Sequence, residues 1–389
     1  MLTPYFSTDS TTPSWLPSLR SVLLTTIGAI MVMSLLMVAS ASMPFAQTKH
    51  LAPLYFFYHQ LAYMLLGIFM GWIFTKIPLK HLFNINWIIF MMGVCIVAIS
   101  YTVLFGSSIN GSKRWIELAG FNFQPVEMAK LVMIIFTADY LIRRSDDVRN
   151  GWSGFIRLLV ITGFLTLFII MQPDFGSIVI IAGCMAAMVF VGGVPKSQFF
   201  IIMGVMAAMA VVGVMSARYR LERVMSFMDP FDDLRDTDFQ LARSLVAFGR
   251  GEWTGVGYGE SIQKLSHLPE AHTDFLLAIT GEELGFFGVS LLILLQGILL
   301  ATIMKISFDS LKRHQNRISY LAFGVAVLFF GQILVNGGMN MGMLPTKGLT
   351  MPFFSYGGSS MVVNLIIVGI LVRILKEAPT ITPQDCRRY

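Results

Sequence analysis

Apolar runs of about 17–25 residues recur along this chain from Ser21 onward, each long enough to cross a roughly 30 Å hydrocarbon core as a helix. They predict spans near 21–42, 57–75, 86–105, 125–142, 154–171, 177–193, 198–216, 276–304, 317–336 and 350–375. The expected fold is an all-α integral membrane protein of about ten transmembrane helices. One long extracytoplasmic loop, 217–273, separates spans 7 and 8, and short tails at 1–20 and 376–389 flank the membrane domain at 21–375.

Composition agrees with that class, because 55% hydrophobic and 13% charged residues cannot cover a water-exposed surface. The mean hydropathy is +0.71. Lys76, Lys80, Arg143, Arg144, Arg149, Lys196, Lys312, Arg313, Arg373 and Lys376 all fall on one side if both termini are cytoplasmic, as the positive-inside rule prefers. The net charge of +6 then reports topology, and no nucleic-acid partner is expected. Ala39-Ser40-Ala41 mimics a signal cleavage site, but the run before it exceeds a signal h-region, so the first span is read as uncleaved. Cys95 and Cys184 lie in spans and Cys386 in the tail, which leaves no pair for an extracellular disulfide.

The polar residues are concentrated near the long loop. It carries Asp229, Asp232, Asp233, Asp236 and Asp238, then Phe239 to Phe248 with Leu241, Leu245 and Phe248 at helical spacing, the pattern of a short amphipathic helix resting on the membrane. The glycines from Gly249 to Gly259 follow no strand and open no helix, so they read as turns and not as a phosphate loop. Leu268-Pro269-Glu270-Ala271-His272-Thr273-Asp274-Phe275 then sets ionisable groups where the loop meets the eighth span. From Asp274 to Met304 a straight helix would measure about 45 Å, so Asp274, Glu282 and Glu283 are expected at the outer boundary or facing a wet cavity. An aspartate there can also cap the helix that follows.

Three further outer segments carry candidates. Glu127 and Lys130, three apart, form either a structural pair or a substrate contact. Lys113-Arg114-Trp115 places two adjacent cations where topology disfavours them, which suits a pyrophosphate or an interfacial tryptophan with snorkelling neighbours. Asn336 to Leu349 and Pro352 to Ser360 are dense in Gly, Pro and Ser, which predicts broken backbone lining a polar cavity. Gly357, Gly358 and Ser359 fit close helix packing equally well.

Together these motifs resemble the SEDS family (shape, elongation, division and sporulation), membrane glycosyltransferases that polymerise lipid II. The resemblance runs through Gly111 to Ile116, Gln124-Pro125, Gln172-Pro173-Asp174-Phe175-Gly176, Pro269 to Phe275, Gly281-Glu282-Glu283-Leu284-Gly285 and Ser355 to Ser360. Leu344 to Leu349 and Ala247 to Glu252 are similar to the cell-division branch. His267 and Leu276-Leu277 depart from the usual pattern without touching the acid.

The resemblance implies that Asp274 is the essential aspartate, a general base for the acceptor's 4-hydroxyl as it displaces undecaprenyl pyrophosphate. Lys113, Arg114 and Lys347 would balance the leaving-group charge, with a divalent cation, Mg or Mn, held by the pyrophosphate itself. Trp115, Glu127, Lys130, Lys264, His272, Thr273, Ser355, Tyr356 and Ser359 complete the expected substrate-binding set; no metal ligands are expected. Implied partners are a class B penicillin-binding protein and other division-complex membrane proteins, at the septum in the bacterial inner membrane. The other readings are a lipid II flippase and a non-catalytic division scaffold.

Overall fold

A helix lies over each of the ten apolar runs in the computed structural model, which describes residues 17–109, 112–118, 121–172, 174–215, 239–265, 268–345 and 348–380. The helices are α1 (Leu19–Thr48), α2 (Tyr55–Phe74), the short α3 (Leu79–Leu82), α4 (Ile85–Phe105), α5 (Pro125–Arg143), α6 (Ser145–Asn150), α7 (Trp152–Ile170), α8 (Phe175–Val191), α9 (Lys196–Met215), α10 (Phe239–Gly251), α11 (Leu276–Lys312), α12 (Asn316–Asn340) and α13 (Gly358–Glu377). Among the described residues seven are both long and apolar enough to cross a membrane. The protein is a multi-pass membrane protein.

Helix α5 falls short of that apolarity because it carries Glu127, Lys130 and Asp139, and it is buried nearly end to end. Neighbouring helices shield those charges from lipid, which is where intramembrane ionisable groups are tolerated. The lipid-facing helices show the opposite pattern, with Val97, Leu104 and Phe105 of α4 exposed. Helix α13 crosses α2 at close range: a Cβ at Gly71 would stand 2.5 Å from the Leu365 carbonyl, and one at Gly369 would stand 2.1 Å from the Gly71 carbonyl. Small residues permit this approach, which buries backbone against backbone without lipid between.

Two elements differ from expectation, one in structure and one in placement. Residues 107–123 fold as a small antiparallel sheet in the order β1-β2-β3, with β1 at Ser107–Ile109, β2 at Ser112–Leu118 and β3 at Phe121–Phe123. Asn122 ties it to the bundle, its N–H donating to Tyr63 Oη at 3.2 Å and its carbonyl accepting from Ser359 Oγ at 2.9 Å. Helix α10 does form, but its apolar face packs on α11 and α12 and not on the membrane: Leu241 and Ala247 are buried, and Ser244 Oγ donates to the Asn340 carbonyl at 2.7 Å.

The long eighth span resolves its length problem by breaking. Gly285 adopts φ 64 and ψ −162, a region open essentially to glycine alone, and divides α11 into a buried first segment and a lipid-facing rod. The loop before it covers the break. Val256 N–H donates to the Glu282 carbonyl at 2.9 Å, Gly257 N–H to the Glu283 carbonyl at 3.1 Å, and the Phe286 and Phe287 amides donate to Glu252 and Trp253 at 2.9 and 3.2 Å. Backbone freed at this depth is therefore satisfied inside the protein. Of the glycines read as turns, Gly255, Gly257 and Gly259 do act as turns, with positive φ, whereas Gly249 and Gly251 belong to the last turn of α10.

Candidate active site

The connections that meet at one end of the bundle are the α1–α2 turn, the β-sheet, the α7–α8 turn, the start of α11, the end of α12 and the start of α13. Asp274 stands among them, in a turn closed by the Thr273 and Phe275 amides, which donate to the Glu270 carbonyl at 3.1 and 3.3 Å. Glu270 takes a left-handed φ of 56° to make that turn, and its carboxylate accepts the Thr273 hydroxyl at 2.8 Å. The basic turns at 76–81, 143–149, 196 and 312–317 lie at the opposite end.

Asp274 does not cap α11. The N-cap position is Phe275, with no side-chain capping bond, and among the described residues the Asp274 carboxylate accepts no hydrogen bond. Instead the residue is held by its backbone. Its carbonyl accepts Asn336 Nδ2 at 3.0 Å and Asn340 Nδ2 at 2.9 Å. Burial raises the Asp274 carboxyl to about 7, with Glu270 and Asp174 adding to the rise and Arg114 opposing it. A carboxylate poised near neutrality is suited to proton transfer. Gly348 walls the site, where an added Cβ would stand 3.1 Å from Asp274 Oδ2.

Arg114 is the cation whose charge opposes the rise at Asp274. It projects from β2, donates through Nε to the Gln172 carbonyl at 3.0 Å, and sets Nη1 3.8 Å from Asp174 Oδ1. Asp174 is fixed in turn as the N-cap of α8, accepting Ser177 N–H at 3.2 Å and Ser177 Oγ at 2.8 Å. Lys113 and Arg114 are adjacent on a strand, so their side chains leave on opposite faces, and the two cannot form one fork on a single phosphate group. Lys113 is exposed, while Trp115 is half-buried.

A family model described as the cell cycle proteins FtsW, RodA and SpoVE matches residues 20–379. The chain belongs to the FtsW/RodA/SpoVE family. It is 42% identical over 95% of its length to a probable peptidoglycan glycosyltransferase FtsW of Acinetobacter baylyi, covering 94% of that protein. A protein of the same description from Haemophilus influenzae is 41% identical over 90% of this chain and 88% of its own length. Among solved structures, one described as structural coordination of polymerization and crosslinking by a peptidoglycan synthase complex superposes with a TM-score of 0.73 at 25% identity, covering 92% of this chain and 97% of that one. The rod shape determining protein RodA of Thermus thermophilus gives 0.67 at 23% identity over 94% and 99% of the two chains. At that identity RodA shows the shared fold alone.

Within this FtsW/RodA/SpoVE fold the remaining sequence candidates separate into distinct roles. Glu127 and Lys130 form a buried pair on α5 at 2.7 Å. Lys264 is also buried, its Nζ donating to Glu283 at 2.7 Å, Ser40 Oγ at 2.8 Å and the Gly259 carbonyl at 2.6 Å. Those three acceptors match the three ammonium protons. Glu282 is likewise consumed internally, by Arg250 at 2.7 Å, Ser261 Oγ and the Ile262 and Gln263 amides. Glu282 and Glu283 are therefore fully buried and paired, not at an open boundary as their sequence position predicted, because the covering loop supplies their partners.

His272 lies among Phe45, Phe56 and Tyr356 with ring centroids 4.9, 4.7 and 5.6 Å away. Burial lowers its ring to about 4 against a smaller opposing pull from Glu270, so at neutral pH it packs as an uncharged ring. Its carbonyl accepts Tyr356 N–H at 3.2 Å, which joins the Asp274 turn to the segment before α13. Ser355 Oγ accepts Met351 N–H at 3.0 Å and Ser359 Oγ accepts Gln124 N–H at 2.7 Å, so both serines tie loops. Close packing also explains Gly358, where a Cβ would fall 2.2 Å from the Tyr63 ring. Lys347, His267, Gly111, Pro173, Cys386 and the acidic stretch from Asp229 to Asp238 lie outside the described residues.

Sequence reasoning passed over Asn336, Asn340, Glu270 and Asp174 as members of the site. Two asparagines spaced i and i+4 in an apolar helix were the available signal, since buried amides in such a place need partners.

Proposed function

We propose that this chain is a peptidoglycan glycosyltransferase that polymerises lipid II during cell division, with Asp274 as its general base. The observation that carries the reading is the placement of Asp274, its carboxylate spared from capping and its carbonyl held by Asn336 and Asn340, while burial raises the carboxyl to about 7. As the 4-hydroxyl oxygen of the acceptor's N-acetylglucosamine bonds to C1 of the donor's N-acetylmuramic acid, its proton passes to Asp274. The bond from C1 to the phosphate oxygen breaks, and undecaprenyl pyrophosphate leaves with the electron pair. Direct displacement inverts the anomeric centre, by the logic of inverting glycosidases.

Arg114 is the leading candidate for the leaving-group cation, because a guanidinium fork meets phosphate oxygens in two places. Lys113 and Lys347 join it as candidates. Among the described residues no group of three or more His, Cys, Asp or Glu is gathered to hold a metal, so a Mg or Mn ion would ride on the pyrophosphate. The partner proposed is a class B penicillin-binding protein acting at the septum with other division-complex proteins, in line with the synthase complex that this chain resembles.

The test is glycan formation from labelled lipid II by wild-type and Asp274→Asn protein, each with its matching transpeptidase and checked for equal folding. Polymer from the wild type alone is expected. Polymer from both would move the base elsewhere, and polymer from neither would call for a lipid-translocation assay.

A further inference from the structure

We propose that Asn336 and Asn340 are positioning residues that aim the Asp274 carboxylate by clamping the peptide on which it is mounted. The inference rests on the reading of Asp274 as the base. An aspartate ahead of a helix ordinarily spends its carboxylate on the amides of the first turn. Here Asn340 relieves it of that duty. Its Oδ1 accepts Ala278 N–H at 3.2 Å, the bond that a capping side chain would make, while its Nδ2 donates to the Asp274 carbonyl at 2.9 Å.

Asn336 works one turn earlier on the same face of α12. Its Nδ2 donates to the Asp274 carbonyl at 3.0 Å and to the Leu349 carbonyl at 2.6 Å. The Asp274 carbonyl thus has both of its lone pairs engaged, each by a side-chain amide from a single rigid helix. Both asparagines are fully buried, so water does not compete for these bonds. Asn336 reaches two walls of the site at once, since Leu349 follows Gly348, the residue nearest Asp274 Oδ2.

Helix α12 therefore fixes the direction in which the carboxylate leaves the backbone, without touching the carboxylate. A general base displaced by about 1 Å can lose on the order of 100-fold in rate while substrate binding persists. The two asparagines should accordingly govern turnover and leave substrate affinity alone.

The experiment titrates lipid II against the full chain with its transpeptidase, comparing wild type with Asn336→Ala, Asn340→Ala and a control, Asn364→Ala. Asn364 is another buried amide, on α13, whose Nδ2 reaches Ser360 Oγ at 3.4 Å. Expected are kcat losses of about 10- to 100-fold for the first two with KM within about twofold, and unchanged kcat for the control. If the alanine variants do not fold, Asn336→Ser takes their place with the same expected loss. Wild-type kcat in the folded variants, or a rise in KM at constant kcat, would overturn the clamp while leaving an inactive Asp274→Asn as evidence for the base. Turnover retained by Asp274→Asn would instead remove the base, and the clamp with it.

Discussion

Arg114 and Asp174 face each other across 3.8 Å at the Asp274 site, a separation too long for a hydrogen bond, with Asp174 already committed to α8. Both bear on the charge of Asp274, in opposite directions. This places the catalytic reading under electrostatic control that can be tested residue by residue.

With Asp274 acting as the proposed base, activity should rise with pH through an inflection near 7, because the carboxylate must be ionised and burial holds it at about 7. Glu270→Gln removes a negative neighbour and should move the inflection to lower pH. Arg114→Gln removes the opposing cation and should move it higher. Initial polymerisation rates over a range of roughly pH 5–9 check all three.

Gly348→Ala should reduce turnover by several-fold, on the order of 10, while leaving thermal stability near that of the wild type. Its Cβ would stand 3.1 Å from Asp274 Oδ2, close enough to push the carboxylate but too small a change to disturb the surrounding helices. Polymerisation rate against unfolding temperature separates the two effects.

Lys264→Met should cost about 3–5 kcal/mol of stability, since it strands the buried Glu283 carboxylate. The double variant Lys264→Met/Glu283→Gln should recover most of that loss. Denaturant unfolding in detergent is the measurement. Recovery of stability in the double variant marks the pair as structural, distinct from substrate recognition.

His272→Phe should flatten the acid limb of the stability curve. Burial lowers the folded ring to about 4 from 6.5, so its contribution is fully present above pH 6.5 and is lost as pH falls through 4. Phenylalanine keeps the stacking on Phe45 and Phe56 but binds no proton. Unfolding temperature measured from pH 7 to 4 should fall more steeply for the wild type than for the variant.

The helices were legible because a bilayer imposes one length on every apolar run, and residues such as Val97 and Leu104 announce their lipid-facing surroundings directly. The sheet was not legible: Ser112 to Leu118 is too short and mixed to stand as a strand alone, and the sheet is tied down through Asn122 of β3 by Tyr63 and Ser359 from distant segments. The end of α12 was misplaced for a related reason. Gly337 and Gly338 predicted an end near 336, yet the helix continues to Asn340, with Leu344 packed where a Gly338 side chain would sit. The last span begins at Gly358 and not near 350, because Pro352 and the left-handed Phe353, at φ 61°, hold the preceding residues in turns.

At the site, Asp274 was visible from its position alone and Arg114 from its improbable charge. Their coordination was hidden, because a backbone carbonyl leaves no mark in sequence and the asparagines that bind it lie more than sixty residues away.

The break at Gly285 separates the segment that carries the chemistry from the rod that meets the lipid. A thinner or thicker bilayer is met by helices that tilt, and the rod from Phe286 to Lys312 is the part of α11 exposed to that demand. The short segment above it is anchored to α12 and to the covering loop. The same loop also holds the first residues of the rod, Phe286 and Phe287, so the two segments are pinned across the break and the orientation of the acid is set by protein neighbours.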